Sequence, residues 1–150
     1  IAQPEAKILP TLRFHLAASL LRLGLTREAR QELQILEQVS AGGVGVQLLK
    51  AEFQLRENRA PAAEDLCRAI LVQAPKLREA RMILALSLAA QGKRDDAKKE
   101  WAKLAQEFPQ DRGIALQYLA QLAGETSARA EFERRLAEIE NVPGLDTGSR

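Results

Sequence analysis

A spacing of 34 residues recurs along this chain and restricts its fold more than any other feature. Gly24, Asn58 and Gly92 stand 34 residues apart, and all three residue types tolerate the left-handed backbone of a tight turn. Ala17, Ala51 and Ala85 keep the same interval, as do Ala29, Ala63 and Ala97. So do Leu33, Cys67 and Trp101, and Leu36, Ile70 and Leu104, while Pro75 and Pro109 close two of the units. Small residues recurring where helices approach closely, and large ones where a gap is filled, describe one supersecondary unit used several times.

Residues 78–111 show the unit most clearly, as two short amphipathic helices joined by a turn. Ile83, Leu84, Ala85 and Leu88 share one side of the first helix, and Gly92 ends it. Asp95 or Asp96 is expected to cap the second helix, which carries Ala97, Trp101, Leu104 and Phe108 on one stripe before Pro109. One such pair cannot bury both stripes alone, so neighbours of the same kind are required. With 46% hydrophobic but only 4% aromatic residues, and few β-branched runs, the chain reads as all-α. Its 150 residues suit one domain.

From Pro10, TLRFHLAASLLRLG is apolar at helical spacing and ends at Gly24, and Thr26 is expected to cap TREARQELQILEQV with its stripe of Ala29, Leu33 and Leu36. After the glycine-dense stretch 40–45 come VQLLKAEFQLREN and PAAEDLCRAILVQAP, with Pro61 in the first turn of a helix. The units are therefore 10–43, 44–77 and 78–111. Residues 1–9 stay uncommitted between an N-terminal extension and the end of an upstream helix, since Pro4 and Pro10 both suit helix starts. Residues 112–141 repeat the plan with a shorter turn at Gly124, a cap at Thr126 or Ser127 and a stripe of Phe132, Leu136 and Ile139, as a polar-faced capping pair would. The last nine residues, 142–150, lack periodicity and read as a disordered tail.

These positions resemble the tetratricopeptide repeat, with its leucine, small residue, turn glycine, second-helix alanine, large apolar residue and closing proline. The departures are Arg13, Gln47 and Arg81 where a large first-helix residue is usual, and Lys50 and Gln54 in the middle unit. The resemblance implies a right-handed α-solenoid of antiparallel helix hairpins, three repeat units plus the capping hairpin. It also implies a concave groove lined by the first helices of successive units, drawn from Thr11, Phe14, Ala18, Leu21 and Arg22, then Gly45, Leu48, Glu52, Leu55 and Arg56, then Glu79, Met82, Leu86, Ala89 and Ala90. The partner-binding residues expected from this set are Phe14, Ala18, Leu21, Leu48, Glu52, Leu55, Met82, Leu86 and Ala89. Leu16, Leu20 and Leu23 would supply the core side of the first helix.

Chemistry-bearing patterns are sparse. His15 is the single histidine and has no dyad partner nearby in sequence, and no His or Cys cluster has metal-ligand spacing. Cys67 sits at the repeat position of Leu33 and Trp101 and reads as a small core residue. Gly42, Gly43 and Gly45 lack the lysine and hydroxyl residue of a phosphate loop. Glu64, Asp65, Asp95 and Asp96 lie where a helix dipole stabilises acids. Lys93, Arg94, Lys98, Lys99 and Lys103 read as a solvated face. A formal charge of +2, spread along the chain, gives no footprint for nucleic acid or anionic lipid.

The expected function is a protein-protein interaction scaffold without enzymatic activity or cofactor, taking an amphipathic helix or apolar segment of a partner into the groove, with self-association and intramolecular cover as the other occupants. Two further classes stay open. One is a structural repeat scaffold in the periplasm of a bacterial envelope, secretion or polymer-export machine, and the other is the regulatory domain of a larger enzyme. A start on Ile1 without a leader suggests a piece of a longer or processed protein, with the compartment open between cytoplasm and periplasm.

Overall fold

In a computed structural model, which describes residues 5–40, 42–122 and 129–140, the chain forms eight helices, with no strand among the described residues. In chain order they are α1 (Glu5–Arg22), α2 (Thr26–Ser40), α3 (Val44–Arg56), α4 (Ala60–Gln73), α5 (Arg78–Ala90), α6 (Arg94–Glu107), α7 (Arg112–Leu122) and α8 (Arg129–Glu140). They pack in neighbouring pairs, α1 with α2, α3 with α4, α5 with α6, and α7 with α8. The pairs join through α4 against α5 and α6 against α7, with a lighter meeting of α2 and α3, while α3 also touches both α1 and α5. No described helix is long and apolar enough to cross a membrane.

The turns inside the first three pairs follow the sequence period. Gly24 (φ 78°), Asn58 (φ 60°) and Gly92 (φ 76°) all adopt the left-handed conformation. Each ends its helix in the same way: Leu25, Arg59 and Lys93 donate their backbone N–H to the carbonyls of Leu20, Gln54 and Leu88, respectively. These bonds satisfy carbonyls that a helix end leaves open. Pro61 lies in the first turn of α4, as its fixed φ favours.

Some sequence expectations fail at helix ends. Asp95 and Asp96 do not cap α6, which starts at Arg94 after Lys93; both acids lie inside the first turn, where the helix dipole favours them. Thr26 is already helical, and its hydroxyl lies 3.4 Å from the Gly24 carbonyl as donor rather than accepting from the next turn. The side-chain cap that does form was not anticipated: Asp111 Oδ1 accepts from the backbone N–H of Ile114 at 3.0 Å. That bond first, and then Arg78, holds the Asp111 carboxyl below the usual carboxylate range. Pro10 does not begin α1 but lies within it, so 5–9 belong to the first helix and not to a separate extension. The helix forgoes the one backbone bond that proline cannot donate.

The core is divided by unit. Ala17, Leu21, Ala29, Leu33, Leu36, Val46, Leu49 and Phe53 form its first part. Ala51, Cys67, Ile83, Leu84, Leu88 and Ala97 form the second, and Ala85, Trp101, Leu104, Ala105, Ile114 and Tyr118 the third. Each cluster draws on two successive pairs, so burial links units as well as closing them. Burial pushes the Cys67 thiol up to about 12, which keeps it a protonated packing group. Arg13 and Arg81, at apolar positions of the resembled pattern, are accommodated by ion pairs across their own pairs of helices, to Glu32 and Glu107. Lys50 likewise reaches Glu37 of α2 at 2.7 Å.

The capping residues at 123–128, the side chains of Phe132 and Ile139, and the tail 142–150 lie outside the described residues; Leu136 is exposed.

Candidate functional site

The helices α1, α3 and α5 border a cavity of about 770 Å³. Its apolar lining comes from Phe14 and Ala18 on α1, Leu48, Leu49 and Leu55 on α3, and Met82, Ile83 and Leu86 on α5. The repeat explains this selection. Phe14, Leu48 and Met82 are 34 residues apart, as are His15, Leu49 and Ile83, and Ala18, Glu52 and Leu86. Three register positions thus place a residue from every one of the three helices at the wall, on a face spanning i, i+1 and i+4.

Polar groups edge the same hollow. His15, Ser19 and Arg22 come from α1, Glu52 and Arg56 from α3, and Arg78 and Glu79 from α5. Arg56 donates to Glu52 at 3.3 Å, and Arg78 pairs with Asp111 and lies 3.5 Å from Glu79. Arg22 is exposed and forms no ion pair among the described residues. The His15 ring meets Phe14 edge-on, with centroids 5.6 Å apart. A smaller hollow of about 290 Å³ continues from Phe14 across Pro10, Thr11, Gly43 and Gly45 toward Val46. At Gly45 a Cβ would stand 3.4 Å from the Phe14 ring, an ordinary van der Waals contact, so α3 runs close to α1 here.

Seven of the nine expected groove residues, Phe14, Ala18, Leu48, Glu52, Leu55, Met82 and Leu86, line this cavity. Leu21 does not. It is 0% exposed within the first core cluster, because α1 turns Ala17 and Leu21 toward α2 and α3. Ala89, one repeat on from Leu55, packs against the second cluster and lines no part of the hollow. The corresponding core assignment for α1 is corrected as well: Leu16 (46%) and Leu23 (74%) are exposed, and Leu20 alone of the three packs against the core. His15, Ser19, Leu49, Arg78 and Ile83 were missed. The first two follow Phe14 and Ala18 by one residue, so a helical wheel with a wider groove face would have found them.

What the arrangement offers is an apolar concavity with charges of both signs at its rim. Among the described residues no group of three or more His, Cys, Asp or Glu side chains is placed to hold a metal ion. Compared with known proteins, the chain matches no family model, no curated protein and no solved structure.

Proposed function

We propose that this chain is a tetratricopeptide-like module, a right-handed α-solenoid of three antiparallel hairpins and a capping hairpin, that binds an apolar or amphipathic segment of a partner protein between α1, α3 and α5. The observation that carries the reading is the cavity itself, about 770 Å³ of largely aliphatic and aromatic lining on three successive first helices. Surfaces of this kind on a small protein mark interaction sites more often than they stay bare. This reading requires no cofactor.

Three or four large anchors buried at such a surface contribute on the order of 1.5 to 3 kcal/mol each. Association and ordering cost at least about 4 kcal/mol. The surplus corresponds to micromolar affinity, suited to a scaffold or transient carrier. Leu48 and Leu86 are half-buried groove residues outside the core clusters' fully buried set. Leu48→Glu and Leu86→Glu should therefore abolish retention of the partner in affinity capture from cell extract, while circular dichroism keeps the helical signal. Equal retention by the native chain and both variants would refute the groove reading.

A further inference from the structure

The charges around the groove are not spread evenly. Phe14, Leu48 and Met82 share one register position in it, and Ala18, Glu52 and Leu86 share another four residues on, so the three helices cross the hollow in the same direction. On α1 the lining runs from Phe14 to Arg22 and on α3 from Leu48 to Arg56, the same positions one repeat apart. On α5 it runs from Arg78 to Leu86, one helical turn earlier in the repeat. The hollow therefore slants, and its two ends differ in sign. Arg22 and Arg56 hold one register position in the last turns of α1 and α3, while Glu79 stands at the other end, in the first turn of α5.

These end charges are open to a ligand. Arg22 is exposed and forms no ion pair among the described residues, and no acidic residue lies between Pro10 and Arg22 on its helix. Arg56 is 43% exposed, with a single bond to Glu52 at 3.3 Å. Glu79 is 53% exposed, and its neighbour Arg78 is already held by Asp111. Between the ends lie Leu48, Leu55, Met82 and Leu86. The helix dipole favours each charge on its own helix; the consequence for the groove is a basic end, an aliphatic centre and an acidic end.

We infer that the occupant of this groove, whose role as a binding site is the reading this rests on, is an amphipathic helix of a partner protein with acidic residues at one end, an aliphatic stripe at its centre and a basic residue at the other. Charge complementarity sets the ends, with carboxylates opposite Arg22 and Arg56 and a lysine or arginine opposite Glu79. The aliphatic centre sets the secondary structure. An extended segment would bring its backbone N–H and C=O groups against side chains that offer no hydrogen bond, whereas a helix satisfies them internally. Length follows from the register. The arginines and Glu79 are eleven repeat positions apart, roughly 16 Å along the helix axes, and lie one or two interhelical spacings of about 9 Å across. The charged ends of the bound helix are thus about 19 to 24 Å apart, or about 13 to 16 residues.

The test uses the full chain and two synthetic helical peptides of about 16 residues. Both carry leucines at i, i+3, i+4, i+7 and i+11 on an alanine background. The first has glutamates in one terminal turn and lysines in the other, and the second has glutamine at all those positions. In fluorescence anisotropy the charged peptide should bind at least about tenfold more tightly, with the ratio falling at high salt. Arg22→Gln, at an exposed position, should cut that ratio at least about threefold and leave the neutral peptide's affinity unchanged, which separates the groove's charge from the peptides' own helicity. Leu48→Gln should weaken both peptides while circular dichroism keeps the helical signal. Equal affinity for the two peptides, with both weakened by Leu48→Gln, or a ratio that Arg22→Gln does not move, would overturn the charge pattern while the groove reading stands. Binding that Leu48→Gln leaves intact, or no binding by either peptide, the result of a groove filled from within its own chain, would overturn both. A native dimer in sedimentation equilibrium that the charged peptide dissolves would overturn the inference in favour of a second copy.

Discussion

Glu64 is a carboxylate whose removal tests how two repeat units are held in register. It sits on α4 at 8% exposure and accepts from Lys93 at 2.9 Å and Gln91 at 2.7 Å, both beyond α5, and from Arg68 one turn along its own helix. The Lys93 bond first, then Gln91 and Arg68, pull its pKa from 4.5 to about 2, against a smaller opposing effect of burial. A drop of that size is worth roughly 3 kcal/mol at neutral pH by linkage. The carboxylate is covered chiefly by its own partners, Lys93 and Arg68 are themselves largely exposed, and solvent screening brings the expected contribution to about 1–3 kcal/mol.

The sign is that of a depressed acid. The stabilisation is complete above the unfolded pKa near 4.5 and is lost as pH falls through the folded value near 2. Glu64→Gln keeps one acceptor oxygen for Gln91 and Lys93, but removes the charge and puts an NH2 donor where Oε1 accepted from Arg68. Urea denaturation of native chain and variant at steps from pH 7 to pH 2, read as the difference between the two, cancels the other carboxylates. That difference should begin at about 1–3 kcal/mol and fall below half by about pH 3. A difference that stays flat from pH 7 to pH 3 would refute the argument that the junction is held by an ionised Glu64.

Further outcomes follow from the core and the turns. Trp101 is 0% exposed in the third cluster, so Trp101→Ala should lower stability by about 3–5 kcal/mol in chemical denaturation. Gln54 buries its Oε1 without a hydrogen-bond partner at a register position that Leu20 and Leu88 fill in the other units. Gln54→Leu should raise stability by about 1 kcal/mol, seen as a higher urea midpoint. Asn58 carries φ 60°, so Asn58→Ala should lower the melting temperature, at about 1 kcal/mol, while Asn58→Gly should hold it.

Much of the molecule was written in the local pattern. A period of 34 marks the left-handed turns at Gly24, Asn58 and Gly92, and the alanines and large residues at fixed offsets are buried. These are properties of a single helix pair, and each turn and each amphipathic stripe depends on residues a few positions apart. The groove was legible for a related reason. Phe14, Leu48 and Met82 share a register position, so identifying the repeat identifies the wall.

What the local pattern could not reveal depends on which elements surround each helix. Leu16 and Leu84 hold the same register position, yet Leu84 is covered because α4 precedes α5, while no described helix precedes α1. That difference exposes Leu16 and Leu23 and leaves Leu21 to fill the space between α1, α2 and α3. Glu64 is the same case among polar residues. As a residue early in α4 it needs only the helix dipole, and its partnership with Gln91 and Lys93 exists because two units stack. Sequence period determined the unit and its turns; stacking decided which copy of each position is core, junction or open face, since burial depends on neighbours and not on the residue alone.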